Sequence, residues 1–96
     1  MNAEEFYNHV SSWSRHRRHL ESIIHRCTEA KFAIVNKERR NEQPTDDELQ
    51  AVEKLNAEQA KMDFIVRGLV ATIDAEVDRV EIILQNKRET AQISNE

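Results

Sequence analysis

The chain almost lacks the residues that turn a backbone. It has one glycine and one proline among 96 residues, which argues against a turn-rich β or α/β domain and against a glycine-rich phosphate loop. A single cysteine, Cys27, excludes an internal disulfide. No apolar run reaches the roughly eighteen residues that a membrane-crossing helix needs. The N-terminus carries Glu4 and Glu5 and no apolar stretch of the kind that opens a secretory signal. A cytoplasmic protein is the expectation. Neither HExxH nor a clustered CxxC occurs. Enzymatic activity is not expected, and no cofactor or small-molecule substrate is implied.

What is present is helix-forming. Charged residues make up 33% of the chain and hydrophobic residues 39%, with Glu, Lys, Arg, Ala and Leu abundant. Residues 3–43 contain no proline and no glycine. Pro44 is expected to stop one helix. Thr45 then caps a second, with Glu48 three residues on reaching back to the Thr45 N–H as a capping box. Asn2 and Glu5 repeat that spacing at the N-terminus, and Asn41 is a candidate C-terminal cap. The sequence therefore predicts an all-α fold of one domain, 1–96. Helix 1 spans about 3–40, a turn 41–45 and helix 2 about 46–88, with a frayed tail at 89–96.

Both helices carry a seam. In the first, Phe6, Trp13, Leu20, Cys27 and Ile34 are seven residues apart, with Val10, Ile23, Ile24 and Ala30 between them. In the second, the series is Val52, Leu55, Gln59, Met62, Val66, Leu69, Ile73, Glu76, Val80 and Ile83. This heptad spacing predicts an antiparallel helical hairpin with a coiled-coil-like seam. Folding at the turn brings Phe6 to Val80 or Ile83, Trp13 to Ile73 or Glu76, and Ile34 to Val52 or Leu55. Apolar residues between Phe64 and Leu84 spread wider than one facing helix covers, which predicts a homodimer forming a four-helix bundle, or a helix of another protein in the same place. Phe64, Ile65, Val70 and Val77 are the candidate interface, with Phe32 and Val35 near the turn as secondary candidates. Gly68, inside that region, marks either a close approach or a tolerated surface glycine.

Charge is uneven. Residues 1–40 carry eight Lys/Arg and five Asp/Glu, and residues 41–96 six and thirteen. A basic helix is thereby expected to lie along an acidic one, with Arg17 approaching Glu76 or Asp74. Arg15, Arg17, Arg18 and Arg26 form a candidate basic face. His16 with His19, and Glu21 with His25, are two pairs that each share a helix face, but the pairs lie on different faces and no metal site is expected. Cys27, on the seam, reads as a small hydrophobe. The function expected is non-enzymatic protein–protein interaction by a small adaptor, chaperone or inhibitor. Three alternatives compete: a nucleic-acid-binding bundle using the basic face, a structural subunit of a filament or secretion apparatus, and an acidic inhibitor of a basic protein or nucleic-acid mimic.

Overall fold

The computed structural model describes the backbone of residues 1–95 and the side chains of residues 1–91. Two helices, α1 (Ala3–Arg39) and α2 (Asp46–Asn95), pack against each other as a hairpin. No strand occurs among the described residues.

Each end of the turn is fixed by local hydrogen bonds, backbone at the first and side-chain at the second. Asn41 adopts φ 58°, the left-handed conformation that Asn tolerates better than most residues. This lets the Glu42 N–H donate to the Lys37 carbonyl at 2.8 Å and the Asn41 N–H to that of Glu38 at 3.0 Å, the pair of bonds that closes a helix C-terminus. Helix α1 thus ends at Arg39, with Arg40 as its cap. The stop is made by Asn41, three residues before Pro44, so the expected role of proline as the terminator is corrected: it holds the chain extended after the helix has closed.

The second start is the capping box. The Glu48 N–H donates to Thr45 Oγ1 at 3.2 Å, and the Thr45 N–H to Glu48 Oε1 at 3.2 Å. The Thr45 hydroxyl also donates to Glu48 Oε1, at 2.9 Å, and Lys37 Nζ joins the same oxygen from α1. Asn2 caps α1 by accepting the Glu5 N–H at 2.8 Å, while its amide donates to the Glu5 carboxylate at 3.1 Å.

The helices meet along their seams. Cys27 Sγ donates to Asn56 Oδ1 at 3.2 Å, Lys37 meets Glu48, Trp13 shares a groove with Ile73, and Phe6 shares one with Val77 and Val80. Facing residues in the Cys27–Asn56, Lys37–Glu48, Trp13–Ile73 and Phe6–Val80 pairs have numbers adding to between 83 and 86. The core is small: Leu20, Ile23, Cys27 and Val66, with Ile23 and Cys27 only 2% exposed.

The charge asymmetry of the halves does not become a ladder across the hairpin. Most ion pairs lie within a helix, as in Arg17–Glu21, His25–Glu29, Asp63–Arg67 and Glu76–Arg79. Arg17 does not reach Glu76 or Asp74. It lies over the Trp13 ring, 5.2 Å from its centroid, and pairs with Glu21 at 3.3 Å, because residues four apart on one helix are nearer than the opposite flank.

Helix α2 continues to Asn95, past residue 88, where its apolar pattern ends. Nothing between 89 and 95 breaks a helix, and Thr90 Oγ1 donates to the Asn86 carbonyl at 2.9 Å. Glu96 lies outside the described residues. The seam register places Ala3 opposite a residue near 82, so α2 runs on by about twelve residues, roughly 18 Å, without α1 beside it. The molecule measures 78 × 25 × 14 Å, with a radius of gyration of 22.5 Å, against about 12–13 Å for a compact chain of this length.

Three outcomes follow for stability. A Cβ at Gly68 meets nothing within 4 Å, so Gly68→Ala is expected to raise the unfolding free energy by up to about 1 kcal/mol in urea titration. Thr45→Ala removes the cap and is expected to cost about 1 kcal/mol. Lys37, followed by the Thr45 backbone and hydroxyl donors, holds the Glu48 carboxyl down at about 2. A carboxyl depressed in the folded state stabilises the fold above its ordinary value, and that contribution fades as pH falls from about 4.5 through 2. Wild type is therefore expected to lose more stability than Glu48→Gln across that window in acid titrations followed by circular dichroism.

Candidate functional site

At the turn end both helices are capped and joined through Lys37 and Glu48, whereas at the open end Asn2 caps the start of α1 alone. At the open end α1 begins at Ala3 while α2 carries its apolar stripe onward. Val77, Val80, Ile83 and Leu84 are 42–49% exposed. At 100° per residue they fall within an arc of about 120°, with Val77, Val80 and Leu84 inside about 60° of it, so they form one stripe. That stripe continues the direction in which α2 faces α1. Met1, Ala3 and Phe6 of the N-terminal segment and Val77 and Val80 of α2 line a shallow groove of about 270 Å³ beside it. Arg79 lies in the same groove and holds the Glu76 carboxyl below its ordinary value through their hydrogen bond of 2.6 Å.

The residues singled out from sequence do not assemble into one surface. Phe64 is 81% exposed, yet helical geometry sets it on the outer side of α2, about 140° around from Val77 and some 20 Å along the axis. Ile65 lies half-buried on one flank and Val70 half-buried on the other. Val70 lines a groove with Val10, Trp13, Ile73 and Asp74, so its apolar surface is used inside the hairpin. Phe32 and Val35 are exposed on α1 near the turn. Of the six, Val77 alone belongs to the open-end stripe.

Val80, Ile83 and Leu84 were passed over because the heptad series assigns the first two to the seam with α1, and seven-residue spacing does not say where the facing helix ends. The signal was available in length: a second helix longer than the first must outrun it.

The basic face divides. Arg15, Arg18 and Arg26 are exposed and make no ion pair among the described residues. With His19 they fall on the outer side of α1, over about 16 Å of axis. Arg17 is on the other flank, engaged with Glu21 and Trp13. His25 meets Glu29 at 3.1 Å, not Glu21. His9 and His16 occupy the seam series that continues through Ile23, and the Nδ1 of each donates to a backbone carbonyl, of Glu5 at 2.8 Å and of Ser12 at 2.7 Å. Among the described residues no group of three or more His, Cys, Asp or Glu is placed to hold a metal ion, and no helix is long and apolar enough to cross a membrane.

The contrast between Ile23 and Phe64 is measurable. Ile23→Ala empties a filled core position and is expected to cost about 2–5 kcal/mol. Phe64→Ala, on an open face, is expected to change stability by no more than about 0.5 kcal/mol. Chemical denaturation of both variants checks the assignment of inside and outside. No protein family, no curated protein and no solved structure matches the chain.

Proposed function

We propose that the protein is a non-enzymatic protein–protein interaction module, a small adaptor, chaperone or inhibitor that works by presenting the open-end surface of α2. The observation that carries this reading is the apolar stripe Val77, Val80, Ile83 and Leu84, still 42–49% exposed beside Phe6 on a hairpin whose core is four residues. Contiguous exposed apolar surface of this kind costs solubility and is a common mark of a docking site. An amphipathic helix end of α2's length offers several turns of contact to a facing helix. Affinity purification from the native host with mass spectrometry, accompanied by light scattering, tests it. Wild type is expected to hold a protein partner or a second copy, and Val77→Asp and Leu84→Asp to lose it while keeping the helical circular dichroism of wild type. Undiminished binding by both variants would overturn the reading.

A second reading has its own support. Arg15, Arg18 and Arg26 lie on one side of α1 without an ion pair among the described residues, as a stripe that tracks phosphates or an acidic protein surface would. If nucleic acid is the ligand, log affinity falls against log salt with a slope of about −2 to −3 for three phosphate contacts. Arg15→Ala/Arg18→Ala is then expected to abolish most of that binding. Binding that ignores both salt and the double substitution would exclude this role.

A further inference from the structure

The hairpin has two broad sides, and they differ. The groove of Val10, Trp13, Val70, Ile73 and Asp74 marks one. On the other, helical geometry sets a second row of cations beside the arginines of α1. Lys54, Lys61 and Gly68 of α2 are spaced by seven on the flank of Ile65, and all three are exposed. Neither lysine makes an ion pair among the described residues. Facing residues have numbers adding to between 83 and 86, so Gly68 lies opposite residues 15–18, Lys61 opposite 22–25 and Lys54 opposite 29–32. Lys61 thus falls between Arg18 and Arg26, and Lys54 continues the series beyond them. Together these lysines and arginines occupy about 23 Å of axis, in two rows separated by the roughly 8–10 Å between packed helices. Two carboxylates share this side: Glu29, which is engaged with His25, and the half-buried Glu58.

We infer that this side binds the phosphate backbone of a nucleic-acid duplex, which rests across both helices. The inference builds on the basic-face reading above and extends it from three arginines of one helix to a surface made by two. Charge without apolar surface decides the class of ligand. No exposed large apolar side chain stands among these cations: Phe32 and Phe64 lie on the outer edges of the helices, and Ile24 lies toward the other side. A protein interface has an apolar centre, whereas nucleic-acid interfaces are polar and strongly basic. No aromatic ring stands there either, so unpaired bases have no platform on which to stack. The spacing of the two rows falls between the widths of the minor and major grooves, about 6 and 12 Å, and each row follows the strand on its own side of a groove. Gly68 fits the same picture. Opposite Arg15 and Arg18, α2 presents no side chain, and a Cβ there meets nothing within the hairpin. A glycine that weakens the helix at this point leaves room for a phosphate backbone to come down onto the arginines. Glu21, Asp63 and Asp74, on the other side, repel phosphates and confine binding to one face.

Fluorescence anisotropy with labelled DNA and RNA duplexes of one sequence tests this. Binding of either supports the inference, and the tighter of the two names the source. For wild type, log affinity is expected to fall against log salt with a slope of about −4 to −5, in place of the −2 to −3 of the α1 arginines alone. Lys54→Ala/Lys61→Ala is expected to weaken binding by at least about tenfold at low salt and to reduce the slope by about 2. Gly68→Gln is expected to weaken binding by about tenfold while raising stability in urea, a split that a purely structural glycine does not show. Circular dichroism is expected to be unchanged in every variant. If neither duplex binds at low salt, the basic-face reading and this inference fall together. If Arg15→Ala/Arg18→Ala abolishes binding but the lysine variant keeps the affinity and slope of wild type, the two-helix surface is refuted and the basic face of α1 stands. A single strand held as tightly as either duplex, or polyglutamate that displaces the duplex at equal charge, overturns the choice of ligand.

Discussion

The hairpin depends on one carboxylate. Glu48 Oε1 accepts from the Thr45 N–H, the Thr45 hydroxyl and the Lys37 ammonium. The first two start α2, and the third reaches back to the last turn of α1. Lys37 in turn gives its carbonyl to the Glu42 N–H that closes α1. The end of one helix, the start of the next and the contact between them therefore share two residues. Without that coupling the two caps would be separate local features, and the angle between the helices would be left to a core of four side chains. An interior this small supplies little margin against the conformational entropy of 96 residues.

The backbone outline was legible because it is written locally. Asn2, Glu5, Thr45 and Glu48 are caps whose partners lie three residues away, and the heptad seams fix which sides of the helices meet. Pro44 was read as the stop, but Asn41, already named from sequence as a candidate C-terminal cap, closes the helix first with its left-handed φ. The end of α2 was placed too early for a different reason. Apolar periodicity reports where a helix has a neighbour, not where its hydrogen bonding ceases, and residues 89–95 are helical without a neighbour.

The excess of apolar surface on α2 was legible in the sequence, but its place was not. Composition showed more apolar surface on α2 than one facing helix covers. Which residues stay uncovered depends on where α1 begins relative to α2, a long-range fact set by turn register. Phe64 looked like an interface residue because it is large and lies among other apolar residues; helical geometry turns it away from them. Arg17 looked like a cross-hairpin partner because of net charge, but charge summed over a helix does not choose partners when an oppositely charged residue sits one turn away.

The turn lies near the middle of the chain, and the contacts between helices are nested around it. A chain built this way closes a short loop first and adds pairs outward, as a zipper does, with little entropy lost at each step. Reversal follows the same track, so the pairs farthest from Asn41 are the last to form and the first to part. The exposed apolar stripe of Val77, Val80, Ile83 and Leu84 thus lies where the pairs part first. A contact that held those two helix ends together would slow the unfolding of the whole chain.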